Sequence, residues 1–246
     1  MALLDIRDLQ IDFGAIRVVD GVSLSINSGE SLCLVGESGC GKTTLLSLIS
    51  GDHRVSSGRV LLNGVDIARM PAHQRCRLGI GRTAQIPRPF EGLTVFENVL
   101  VGSTFGSADR LRTTAEAAAV AALDTAGMGD KANVLAGSLT LLERKRLELA
   151  RALATQPSLL LLDEIAGGLT EAEVNELVDT IKHIRSTGIT IVWIEHIMHA
   201  LLRVVDRIMA VDAGRKLIEG DPHEVMASSE VRSVYLGDDL EAGDEG

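Results

Sequence analysis

Short apolar runs separated by polar turns divide the chain into alternating strand and helix segments. Leu3-Leu4-Asp5-Ile6, Ile11-Asp12-Phe13 and Val22-Ser23-Leu24-Ser25-Ile26 alternate apolar and polar positions, the period of half-buried strands. They predict an antiparallel β layer. Ser31-Leu32-Cys33-Leu34-Val35 and Leu159-Leu160-Leu161-Leu162 are continuous apolar runs, as strands buried on both faces require. Further strands are expected at 58–64, closing on an Asn-Gly turn, at 79–85 and at 189–194. A hairpin is expected around Ala213-Gly214. Helical spacing follows 44–49, 71–78 (opening at proline), 93–126, 141–154 and 171–187. Pro87 and Pro89 exclude regular structure between the strand at 79–85 and the long helical stretch. The charges of 141–154 (Glu143, Arg144, Lys145, Arg146, Glu148, Arg151) read as a solvated helix face. The pattern predicts an α/β core, an antiparallel β subdomain and a helical subdomain inserted at about 90–157. All of it belongs to one domain over 1–237, and the acidic, aromatic-free tail 238–246 is expected to be disordered.

One junction carries chemistry. Between a buried strand and a helix lies Gly36-Glu37-Ser38-Gly39-Cys40-Gly41-Lys42-Thr43-Thr44, which fits G-x-x-x-x-G-K-[ST], the phosphate-binding loop or Walker A motif. Its glycines let successive N–H groups point at phosphate oxygens, and the helix adds its positive end. Lys42 supplies a point charge to the β- and γ-phosphates, and Thr43 a hydroxyl to Mg²⁺. The leucine strand ends in Asp163 and Glu164 at the edge where a parallel sheet binds ligands. It is a Walker B element: Asp163 can hold Mg²⁺ and Glu164 can polarise an attacking water. His196 and His199 lie three apart but have no third ligand nearby, so His196 is read as a phosphate-facing group rather than a metal ligand.

Composition narrows the classes. One Trp, one Tyr and a net charge of −10 argue against a nucleic-acid partner. The charge does not argue against a nucleotide, because charges beyond about 8 Å are screened at physiological salt. No run reaches the ~18 apolar residues of a membrane span, and the first residues lack a signal-peptide pattern. Cys33, Cys40 and Cys76 form no disulfide framework, the expectation for a reduced compartment.

Loop, Walker B strand, intervening helical insertion, Gln85 and His196 together resemble the ATP-binding-cassette (ABC) ATPases over nearly the whole chain. The likeness is strongest to the ATPase subunits of branched-chain amino-acid importers. It rests on Gly81-Arg82-Thr83-Ala84-Gln85, Phe90-Glu91-Gly92-Leu93-Thr94-Val95-Phe96-Glu97-Asn98-Val99, Lys145-Arg146-Leu147-Glu148-Leu149-Ala150-Arg151-Ala152-Leu153 and Val231-Arg232-Ser233-Val234-Tyr235-Leu236-Gly237. The resemblance implies ATP and Mg²⁺ as cofactors and a place at the cytoplasmic face of the inner membrane. Transmembrane permease subunits would be its partners, and a solute-binding protein an indirect one. Phe13, by itself readable as a core aromatic, becomes the residue stacking on adenine. Gln85 becomes the glutamine sensing Mg²⁺ and the attacking water, and His196 the switch at the γ-phosphate. In the family two chains enclose two ATP molecules, each between one chain's phosphate loop and the other's signature, Leu-Ser-Gly-Gly-Gln. Here that signature reads Leu139-Thr140-Leu141-Leu142-Glu143. Thr140 keeps a hydroxyl, the leucines add Cβ groups where glycines stood, and Glu143 adds charge. Ile165, Gly167 and Thr170 also depart from the pattern after Glu164. A heterodimer is therefore expected, with an intact signature from a second ATPase chain, in preference to a homodimer. The alternatives are a soluble cassette ATPase without a permease and a small-molecule kinase with the same loop. The chain length and the helix before Walker B disfavour them.

Overall fold

The computed structural model describes residues 2–106, 114–197 and 202–235, with no side-chain detail for 233–235. His199 and the 238–246 tail lie outside the described residues. Strands β1 (Ala2–Phe13) and β2 (Ile16–Asn27) pair antiparallel along their whole length. They are longer than the short runs suggest, because register irregularities reset the alternation. Leu4 and Ile6 face inward, then a shift between Ile6 and Leu9 lets Leu9 and Ile11 face inward too. Asp8, in that break, takes a left-handed φ of 47°. After β3 (Ser31–Val35) and α1 (Lys42–Ser50), β4 (Ser57–Leu62) and β5 (Val65–Asp66) turn through Asn63 and Gly64 at φ 50° and 79°. The antiparallel sheet has the order β2-β1-β4-β5.

The remaining elements are α2 (Ala72–Arg77), β6 (Ile80–Arg82), α3 (Val95–Phe105), α4 (Ala115–Thr125), α5 (Leu141–Leu153), β7 (Leu159–Asp163), α6 (Glu171–Ser186), β8 (Thr190–Ile194), β9 (Arg207–Asp212), β10 (Arg215–Gly220), α7 (Pro222–Ala227) and α8 (Ser229–Tyr235). The second sheet runs β10-β9-β3-β8-β7-β6, parallel except for the β9–β10 hairpin. Every residue of β3, β7 and β8 is buried, which is why those segments read as unbroken apolar runs. The expected helix over 93–126 is divided into α3 and α4, each with its own threonine N-cap, Thr94 and Thr114.

Two apolar clusters hold these layers. One fills the space between the two sheets around α1, and the other lies beneath α3 to α6. The C-terminal ends of β3, β6, β7 and β8 therefore open on one crevice, and the segments that follow them carry the candidate residues.

Candidate active site

The phosphate loop is shaped by close backbone approach as much as by turning. Gly36 and Gly41 sit at φ 151° and 107°, and a Cβ on either would meet the Val211 carbonyl at 2.2 Å or the Val18 carbonyl at 2.7 Å. Glu37, Ser38, Gly39 and Thr43 lie exposed along the rim, with Thr44 half-buried behind them. Lys42 is buried, its ammonium donating to the carbonyls of Gly36 at 2.6 Å and Glu37 at 2.7 Å. Cys40 Sγ accepts from the Lys42 ammonium at 3.8 Å. Its thiol is packed in the inter-sheet cluster, where burial pushes it up despite the nearby Lys42 charge. No acidic side chain occupies the first turn of α1, so its N-terminal N–H groups and Lys42 present a positive cradle.

Opposite the loop, Thr43 Oγ1 donates to Asp163 Oδ1 at 3.2 Å, joining the two residues expected to share Mg²⁺. A hydroxyl and a carboxylate are hard oxygen donors, and this small set suits an ion that retains much of its water. The other Asp163 oxygen accepts from Arg82 Nη2 at 3.0 Å. Arg82 Nη1 also reaches the hydroxyls of Ser47 and Ser50, both at 3.0 Å, and Asp52 at 2.7 Å. In the sequence Arg82 stands only as part of the Gly81–Gln85 stretch. Its role is set by the register of β6 on β7, which lays a cation beside a strand ending in a carboxylate.

Glu164 is held at both carboxylate oxygens. Gln85 Nε2 donates to its Oε2 at 2.5 Å, and His196 Nε2 lies 2.8 Å from its Oε1. Its backbone adopts φ 46°, a conformation uncommon for a residue with a Cβ and concentrated at functional sites. Burial pushes its carboxyl upward, but the hydrogen bond and charge of His196, with Gln85 and Lys42, outweigh this and hold it below the usual range. Behind it, Glu195 is almost fully buried and accepts the N–H groups of Ala166 and His196. Burial drives that carboxyl up, only partly offset by these hydrogen bonds. Sequence reasoning missed Glu195, whose role rests on its position after β8.

Phe13 is 45 % exposed and meets His53 edge-on, with centroids 5.3 Å apart. It stands at the turn of the hairpin whose Val18 carbonyl lies against Gly41. An exposed ring there can accept a flat base.

The signature region has a different character. Thr140 caps α5, accepting the Glu143 N–H at 3.3 Å, while Glu143 accepts the Thr140 N–H at 2.9 Å, a capping box. Glu143 also pairs with Lys131 at 3.0 Å, so hydrogen bonds from the Thr140 backbone and Lys131 hold its carboxyl low. Leu139 and Leu142 are buried in the core. Of the two leucines replacing glycine, only Leu141 is exposed, and its side chain packs over Gly168, where a Cβ would meet it at 3.2 Å. Among the later departures, Ile165 is buried in the core and Thr170 caps α6.

One expectation is corrected. The charged positions of α5 are not all on a solvated face: Lys145 and Glu148 are 4 % and 7 % exposed. Lys145 Nζ donates to the Gln85 carbonyl at 3.3 Å, and Glu148 accepts the Arg88 N–H at 3.1 Å. The proline-broken segment 85–90 has no strand or helix to satisfy its backbone, so these buried charges do so. Burial pulls the Lys145 ammonium down, with Glu195 and Glu164 acting in the opposite sense.

Known proteins are similar to this chain in sequence and fold. A family model described as ABC transporter matches residues 19–167. The high-affinity branched-chain amino acid transport ATP-binding protein LivG of Escherichia coli K12 is 34 % identical, over 96 % of this chain and 98 % of its own. A probable ABC transporter ATP-binding protein of Azorhizobium caulinodans is 35 % identical, over 93 % of this chain and 80 % of its own. The crystal structure of the ADP conformation of MJ1267, an ATP-binding cassette of an ABC transporter, superposes with a TM-score of 0.87 at 27 % identity. It covers 96 % of this chain and 99 % of that one.

Proposed function

The chain belongs to the ABC transporter family as one of its ATP-binding ATPase subunits, and from that premise we propose that it powers import of branched-chain or closely related amino acids. Subunits of this family work with transmembrane permease partners. No helix among the described residues is long and apolar enough to cross a membrane, and the chain associates with the membrane through those partners. In our reading this happens at the cytoplasmic face, with a solute-binding protein delivering cargo on the other side.

The observation that carries the mechanism is Glu164, ionised and gripped on one oxygen by Gln85 and on the other by His196. The loop Gly36–Thr44 and the α1 N-terminus take the triphosphate, Lys42 turning from the Gly36 and Glu37 carbonyls toward the β- and γ-phosphates. Phe13 takes the adenine. Thr43 and Asp163 are the residues that would hold Mg²⁺, which when bound supplies charge neutralisation on the phosphates. Glu164 orients and deprotonates the attacking water, and Gln85 and His196 fix its direction. Because Leu141 covers the turn where a signature glycine would meet a γ-phosphate, the partner across this ATP is a second ATPase chain with an intact signature. The test is reconstitution with permease and binding protein in liposomes. ATP-driven leucine uptake that disappears in Glu164→Gln supports the reading. Uptake that survives the substitution contradicts it.

A further inference from the structure

Resting on the reading that Glu164 and Gln85 form the hydrolytic centre, we propose that Glu148 is a positioning residue that sets Gln85 by gripping the segment behind it. Pro87 and Pro89 have no N–H, so Arg88 carries the single backbone donor of the Pro-Arg-Pro stretch. Glu148 Oε1 accepts it at 3.1 Å. The same oxygen accepts from Arg151 Nη1 at 2.8 Å, and that nitrogen also donates to the Arg88 carbonyl at 3.0 Å. The Arg151 guanidinium lies 5.2 Å from the Phe90 ring centroid. One turn earlier on α5, Lys145 holds the Gln85 carbonyl itself. At the far end Asn98 of α3 brackets Phe90, accepting its N–H at 2.8 Å and donating to its carbonyl at 3.1 Å. Residues 85–90 thus form a tied strap between the helical layer and the Glu164 carboxylate. Glu148 is the knot, since removing it takes the acceptor from the half-buried Arg88 N–H and leaves Arg151 Nη1 only the Arg88 carbonyl. None of its hydrogen bonds involves residues 36–44, so its influence falls on turnover rather than on nucleotide binding. Because α5 starts at the signature turn, displacement of that turn by a partner is delivered through Glu148 to the Gln85 amide.

The experiment measures kcat, KM and ATP affinity in the assembled transporter, and exchange of the Arg88 amide in the purified chain. In Glu148→Ala, kcat falls roughly 10- to 100-fold, the effect of misplacing a reacting group by about 1 Å. ATP affinity stays within about twofold, and the Arg88 amide loses protection. Glu148→Gln, which keeps a carbonyl acceptor for both donors, recovers most of the turnover and the protection. Should Glu148→Ala not yield folded protein, Arg151→Lys tests the strap from the same helix, keeping the charge and removing the fork, with the same split between kcat and affinity. Unchanged kcat, an equal fall in affinity, or unaltered Arg88 protection overturns the proposal. Glu164→Gln is run alongside. If it is inactive while Glu148→Ala behaves as wild type, only the strap fails; if it is fully active, the hydrolytic reading fails and the strap with it.

Discussion

The phosphate loop and the signature turn of this chain are built differently. Around the phosphate loop, side chains are wired to one another: Thr43 to Asp163, Asp163 to Arg82, and Glu164 to both Gln85 and His196. At the signature turn, every polar group is spent locally. Thr140 and Glu143 cap α5, Glu143 pairs with Lys131, and Leu141 lies over Gly168. The first region is arranged to receive a ligand and direct a reaction upon it. The second is arranged to start a helix. The lesson is that a motif with leucines in place of glycines need not lose its fold: the capping chemistry of Thr140 and Glu143 is intact.

The largest expected effect lies on the wired side. Glu164→Gln should lower turnover by roughly 10²–10⁴, the usual contribution of a general base, measured in the assembled transporter with ATP binding retained. Lys42→Ala should weaken ATP binding by about 1.5–3 kcal/mol, the worth of charge-assisted hydrogen bonds, read by calorimetry. An undiminished affinity would remove Lys42 from the phosphate site. On the local side the effect is smaller and of another kind. Thr140→Ala should cost about 1 kcal/mol of stability, the typical worth of an N-cap, seen in chemical denaturation with little change in ATP affinity. A large loss of turnover at unchanged stability would show that Thr140 meets a ligand after all.

The subtlest prediction concerns pH. A base held below the usual carboxylate range is ionised at neutral pH and is lost only as pH falls through its lowered value. Turnover should therefore keep its plateau into mild acid. In His196→Gln the upward push of burial remains while the histidine hydrogen bond and charge are gone, so the acid limb should move to higher pH. A limb that stays in place would mean that His196 does not tune Glu164.

Much of the wired region was legible in the sequence because it depends on local order. A glycine loop between strand and helix, and four leucines closed by two carboxylates, announce themselves without tertiary context. Gln85 takes its role from resemblance alone, whereas the place of His196 just past a strand already points it at a phosphate. Arg82 and Glu195 stayed hidden because only the register of β6 and the position of β8 bring them to the site. Lys145 and Glu148 were misread for a related reason. Charge along a helix is normally solvated, and the exception arises from a proline-broken neighbour whose backbone has nowhere else to bond. The long β1–β2 pair was cut into fragments by its own irregularities near Asp8, which reset the alternation that a strand reading follows.

In the proposed heterodimer this chain's phosphate loop works with a signature supplied by another chain, while its own signature supports little hydrolysis. The direct measurement is ATP turnover by the purified transporter with one phosphate-loop lysine disabled at a time. Lys42→Ala should remove nearly all turnover, whereas disabling the partner ATPase's loop should leave most of it. Equal losses from the two substitutions, or full turnover by this chain without a partner, would contradict it.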